Sequence, residues 1–183
     1  MASRRPVAYA ALLPGINVGG SKKIAMPALR SCFEAVGCEA VATYIQSGNV
    51  VFRSGRARTG LVGALEGAIA EGTGHDVRVL LRTGKELAAV IDGNPYPDLE
   101  GSKLHVFFVD GAASTVVRDI DAEAFAPEEF TVAAHEIYLA LPNGMGRAKL
   151  PSKLLKPKPP AAVTARNWNT VRKLDELIRG LDG

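Results

Sequence analysis

Thr43-Tyr44-Ile45-Gln46-Ser47-Gly48-Asn49-Val50-Val51-Phe52 consists of two short β-prone runs joined by a tight polar turn. Tyr44, Ile45, Val50, Val51 and Phe52 suit a half-buried pleated surface, and Ser47, Gly48 and Asn49 supply the chemistry that lets a chain reverse. The stretch therefore predicts a β-hairpin. Such a hairpin holds the side chains at its tip rigidly, so Gln46, Ser47 and Asn49 would form a fixed array of amide and hydroxyl donors and acceptors. Closing the turn is the simpler task those residues could have.

Upstream of the hairpin, the apolar run Val7 to Leu13 predicts a buried strand, followed by the glycine-rich loop Pro14 to Lys23. A helix follows, started by Pro27 and stopped by Gly37, with Leu29, Cys32, Phe33 and Val36 spaced to form one apolar stripe. Downstream, a helix from about Thr59 to Glu71 precedes a strand from Val77 to Leu81. The order is β-α-β-β-α-β, which predicts an antiparallel four-stranded sheet with two helices on one face, the ferredoxin-like arrangement.

Thr83-Gly84-Lys85-Glu86 has the pattern of a capping box and opens a helix that carries Leu87, Val90 and Ile91. Gly93-Asn94-Pro95-Tyr96-Pro97 breaks the chain there, so subdomains of 1–95 and 96–183 are expected. The same order then recurs. A strand at Leu104 to Val109, a short helix near Ala113 to Ile120, a hairpin of Phe130 to Ala133 with Ile137 to Leu141, a basic helical turn at Leu150 to Leu155 and a strand at Ala161 to Thr164 make up a second unit. An added helix from about Asn169 to Leu181 buries Val171, Leu174, Leu177, Ile178 and Leu181. The fold class expected is α+β, with two tandem ferredoxin-like subdomains.

The chain has 183 residues, 47% of them apolar and 22% charged, enough for a substantial core and against disorder. Val7 to Leu13 is too short for a membrane span and no small-residue cleavage site follows it, so a cytoplasmic protein without membrane partners is expected. Cys32 and Cys38 are six apart, which fits neither a CxxC pair nor a zinc half-site. Charge is segregated: residues 1–33 carry net +5, residues 34–136 net −8 and residues 137–183 net +6. Ile137 to Leu174 holds eight Lys/Arg and no acid, which points to a partner bearing phosphates or carboxylates.

Three motifs are long and specific: Ala11-Leu12-Leu13-Pro14-Gly15-Ile16-Asn17-Val18-Gly19-Gly20, the hairpin Thr43 to Phe52, and Thr164-Ala165-Arg166-Asn167-Trp168-Asn169-Thr170-Val171. On them, over essentially the full length, the chain resembles the bacterial family catalogued as domain of unknown function 1697. The resemblance implies a pair of ferredoxin-like subdomains and no established activity. Two departures stand out. Pro14 replaces the family's usual Arg, which removes a cation and a backbone donor, and Lys156-Pro157-Lys158-Pro159-Pro160 is richer in proline than the family's usual helix end, so that helix should stop early.

Gly15 and Gly20 have the spacing of a Walker A loop, but Ser21-Lys22 reverses the order that motif needs, and the antiparallel fold is wrong for it. Glycine-rich backbone beside Lys22 and Lys23 can still hold an anion. At the entry to the last helix, Arg166 can grip phosphate bidentately and Trp168 can stack, although Asn167 or Asn169 could serve as a helix cap and Trp168 as an anchor. Arg147, Lys149, Lys153, Lys156 and Lys158 add a basic stretch. His75, His105 and His135 lack metal-ligand spacing, and no nucleophile motif is present, so no metal, cofactor or catalytic residue is assigned.

The resulting expectation is a phosphate-bearing ligand, nucleic acid or a nucleotide-like small molecule, in a basic groove between the subdomains. Lys22, Lys23, Lys149, Lys153 and Arg166 would supply charge, and Asn17, Gln46, Ser47, Asn49, Asn167 and Asn169 polar contacts. The competing expectations are an enzyme acting on a small anionic metabolite, with water or Ser47 reacting, and a module that assembles through its sheet edges.

Overall fold

The computed structural model describes residues 5–155 and 161–181. It is a mixed α+β fold with two four-stranded antiparallel sheets and, among the described residues, six α-helices. The chain divides into two compact units, residues 1–88 with 174–183 and residues 89–173.

The first unit contains β1 (Val7–Leu12), α1 (Met26–Ala35), β2 (Glu39–Tyr44), β3 (Asn49–Ser54), α2 (Arg58–Thr73) and β4 (Leu80–Thr83), with strand order β2-β3-β1-β4. The hairpin is present, with Thr43 opposite Val50 and Tyr44 opposite Asn49. Odd and even positions on β1 point to opposite faces, so Tyr9, Ala11 and Leu13 join Val50, Phe52 and Leu81 in a core with Leu29, Cys32 and Phe33 of α1 and Leu61, Leu65 and Ile69 of α2. Tyr9 and Phe33 both pack on the Phe52 ring, at centroid distances of 5.7 and 5.1 Å. Each helix stops where the chain turns left-handed at glycine, Gly37 (φ 88°) and Gly74 (φ 73°). The edge strand β2 is bulged between Glu39 and Ala42, where Ala40 takes a φ of 51°.

Two boundaries differ from expectation. Ile45 leaves the strand, turns to a φ of 48° and is half exposed, because the turn occupies residues 45–48. β4 begins at Leu80 rather than Val77; the Val79 N–H donates to the Glu66 carboxylate (3.0 Å) instead of a neighbouring strand. The Thr83 capping box forms as expected: the Thr83 N–H donates to Glu86 Oε2 (2.7 Å) and the Glu86 N–H donates to Thr83 Oγ1 (3.2 Å), opening α3 (Gly84–Asp92).

The second unit contains β5 (Leu104–Val109), α4 (Ser114–Val117), β6 (Glu129–Val132), β7 (Glu136–Ala140), α5 (Leu150–Leu154) and β8 (Val163–Asn167), in the order β6-β7-β5-β8. α6 (Trp168–Leu181) follows, its residues up to Lys173 in this unit and those from Leu174 on in the first; Val171, Leu174 and Ile178 are fully buried. β8 runs three residues beyond the expected strand because its register with β5 sets Asn167 opposite His105 and Arg166 opposite Val106. Arg166 is therefore a strand residue, not part of a loop. α4 is only four residues long, shorter than the spacing suggested. The proline-rich segment 156–160, with Lys156 and Lys158, lies outside the described residues.

Candidate functional site

In the first unit the glycine loop folds over the hairpin tip. The Leu13 N–H donates to the Gly48 carbonyl (2.9 Å), and Gly48, at a φ of 78°, has no room for a Cβ, which would fall 2.9 Å from both Ile16 Cγ1 and the Leu13 carbonyl oxygen. Only glycine fits there. Beyond Ile16 the loop makes a miniature hairpin, Val18 bridged to Ser21 around Gly19 and Gly20, both with positive φ. Asn17 (φ 55°) and Lys22 (φ 45°) flank it, and the Asn17 N–H donates to the Lys22 carbonyl (3.2 Å).

The Asn17 side chain joins the two loops. Its Nδ2 donates to the carbonyls of Ile24 (3.0 Å) and Gln46 (2.9 Å), and its Oδ1 accepts from the Ile24 N–H (2.9 Å). Above this link lies an open hollow of about 490 Å3 lined by Asn17, Gly20, Lys23, Ile24, Ala25 and Gln46. Ala25 is also the N-cap of α1, a helix start with no side-chain cap and no acid in its first turn; Pro27 offers no N–H there, but the helix dipole and the remaining first-turn amides favour negative charge. Lys23 and Gln46 are exposed, and among the described residues neither side chain has a hydrogen-bond or ion-pair partner. Lys22 instead donates through Nζ to the Asp76 carbonyl (2.6 Å). Asn49 is fully buried, its Nδ2 donating to the Tyr44 carbonyl (3.1 Å) and to Ser47 Oγ (3.0 Å), so it holds the hairpin together from inside.

The remaining residues proposed from sequence lie in the second unit. Arg166 is buried, with Nη1 donating to Thr164 Oγ1 (2.6 Å) and to the Ala165 carbonyl (2.7 Å). Burial pushes its pKa down to about 10, which leaves it charged at neutral pH. Asn167 is the cap of α6, its Oδ1 accepting from the Thr170 N–H (2.9 Å). Asn169 is exposed on the first turn, its amide lying against Gly101, where a Cβ would collide with it. Lys149, the N-cap of α5, and Lys153 on that helix are exposed, and Trp168 is buried. The Glu128 carboxylate accepts from the Lys149 N–H (2.8 and 3.1 Å) and the Leu150 N–H (2.7 Å), fixing the start of that basic turn.

The description "Protein of unknown function (DUF1697)" belongs to the family model that residues 7–138 match. The chain belongs to the DUF1697 family. Among solved structures, this DUF1697 chain is similar to the conserved bacterial protein SP0830 from Streptococcus pneumoniae, at 23% identity and a TM-score of 0.79, over 96% of this chain and 99% of that one. That likeness concerns the fold alone. No curated protein matches the chain.

Of the DUF1697 chain's expected site residues, Asn17, Lys23 and Gln46 come together at one hollow, whereas Ser47 is not part of its lining and accepts from Asn49 Nδ2 within the hairpin. Gly20, Ile24 and Ala25 line the same hollow, and apolar side chains beside a glycine carry no sequence signal of a binding wall. Among the described residues, no group of three or more His, Cys, Asp or Glu is placed to hold a metal ion, and no helix is long and apolar enough to cross a membrane. Cys32 and Cys38 are buried thiols; desolvation raises both pKa values, that of Cys38 to about 11, which leaves them poor nucleophiles.

Proposed function

We propose that this DUF1697 protein binds a small phosphate-bearing, nucleotide-like ligand at the hollow of its first unit. One observation carries the reading: the exposed ammonium of Lys23 and the uncapped start of α1 border a single hollow whose lining contains no carboxylate. Both favour an anion at the same place. Gln46 adds an amide that can both donate and accept, and Ile24 and Ala25 add an apolar floor, a combination suited to a phosphate with an organic body. The size of the hollow favours a small molecule over a polymer. We further read each unit as ferredoxin-like, since β2-β3-β1-β4 and β6-β7-β5-β8 are the same strand order traced twice, and the protein as cytoplasmic.

The test is an NMR titration of the protein with inorganic pyrophosphate and with a nucleoside monophosphate at low ionic strength. Shifts should concentrate on the amides of residues 20–25 and 46, and Lys23→Ala should weaken binding roughly tenfold through loss of a charge-assisted contact. Absent or scattered shifts would remove the proposal. A short single-stranded oligonucleotide that binds at the same amides, with affinity falling steeply in salt, would move the ligand class to nucleic acid.

A further inference from the structure

We infer that Asn17 is the positioning residue of this hollow, holding its two walls in register without itself serving the ligand; the inference rests on the reading that the hollow takes a phosphate-bearing group. Lys23, Ile24 and Ala25 form one wall and Gln46 the other, and these lie on separate loops. The Asn17 amide bonds both, through Ile24 on one side and the Gln46 carbonyl, 29 residues away, on the other. With all three bonds made to backbone groups, little of that amide is left for a ligand.

The chemistry singles out asparagine. The backbone at position 17 has a φ of 55°, which glycine and asparagine accept most readily. Glycine would keep that conformation and lose every side-chain bond. Ionised aspartate could accept from the Ile24 N–H but would set a carboxylate against two carbonyl oxygens. Asparagine alone combines a tolerated φ, one acceptor and two donors on a short arm. Ser21, by contrast, bonds only within the loop, to the Val18 carbonyl (3.2 Å), and has no link to the hairpin.

The experiment measures hydrogen exchange and pyrophosphate binding on the whole protein, as wild type, Asn17→Gly and Ser21→Ala. In the wild type the Asn17 Nδ2 protons and the Ile24 amide should exchange slowly. In Asn17→Gly the Ile24 amide should exchange about tenfold faster, as expected for the loss of one hydrogen bond. Pyrophosphate should still perturb the Lys23 amide in that variant but no longer that of Gln46, with affinity down roughly tenfold. Loss of the response at one wall only is a signature that general loosening would not give. Ser21→Ala should bind as wild type does.

Wild type that binds no pyrophosphate sinks the ligand reading and the positioning role with it. Wild-type binding that Asn17→Gly leaves unchanged overturns the positioning role alone. Should Asn17→Gly not fold, fast exchange of the Asn17 Nδ2 protons in the wild type overturns the proposal, and slow exchange with pyrophosphate bound at both walls supports it.

Discussion

The two units trace the same strand order with very different helices. The first packs a helix of 10 residues and one of 16 on its sheet, whereas the corresponding helices of the second have four and five. In the second unit the missing helical surface is replaced by side chains from the segments between strands: Ile120, Phe125, Met145 and Ala148 pack against the core that contains Phe107, Ile137 and Leu139. What persists in both is the strand pattern and the junction that follows the last strand. Arg82 in β4 and Arg166 in β8 are both buried, and each donates through Nη1 to the carbonyl of the residue before it, Leu81 (2.9 Å) and Ala165 (2.7 Å). A capping side chain comes next in each case, Thr83 and Asn167. Helix length is therefore adjustable in this fold, while the strand-to-helix junction is repeated.

The largest difference expected between the units is at their turn glycines. Gly48→Ala adds a Cβ against backbone and a buried Ile16 at a positive φ, and should cost about 4 kcal/mol by strain plus overpacking. Gly144→Ala in the second unit has the same sign of φ (79°) but open space around it, and strain alone should cost about 2 kcal/mol. Urea denaturation of both variants measures the pair, and equal losses would show that the packing of the glycine loop on the hairpin contributes nothing.

The repeated junction offers a finer test. Asn167→Ala removes the side-chain cap of α6 and should cost about 1 kcal/mol. Thr83→Ala leaves Glu86 still accepting from the Thr83 N–H, so about 0.5 kcal/mol is expected. A reversed ranking in thermal or urea melts would mean that the two junctions are alike only in outline.

The smallest effects should separate the units by pH. Burial lowers the pKa of His105, in the second unit, below its ordinary 6.5, so the folded state resists the proton that the unfolded chain accepts. Stability is then complete above pH 6.5 and declines as the pH falls below it. Glu86, in the first unit, is pushed up by burial, but hydrogen bonds from Arg58 and Thr83 outweigh that and hold it below 4.5. Its contribution is complete above pH 4.5 and is lost as the pH falls through the depressed value. Exchange rates of amides in β5 and in β4 across pH 3 to 8 should show the second unit weakening first; His105→Gln should abolish the earlier step.

The hairpin, the helix stripes and the capping box were legible because each is written in residues a few positions apart. The misplaced boundaries were set by distant partners. Ile45 reads as a strand residue by its β-branched side chain, yet the next residue's carbonyl is held by Asn17 and the turn starts one position early. Val77 and Val79 read as strand, but Glu66 captures the Val79 N–H. Asn17 was identifiable as a polar loop residue, whereas its link to position 46 was not, because no local pattern encodes it. Arg166 looked like a gripping side chain at a loop and proved to be a strand residue, since only the ladder with β5 reveals where β8 ends.

The bulge in β2 bears on what can pair with the outer edge of the first sheet. A straight outer strand presents a row of unpaired amides and carbonyls on which a neighbouring molecule's strand can dock. With Ala40 turned left-handed and the ladder interrupted between Glu39 and Ala42, that row is broken near its start. The first sheet is thus guarded against growing sideways into an aggregate at this edge, and replacing the bulge with a regular strand would be expected to lower the concentration at which the protein precipitates.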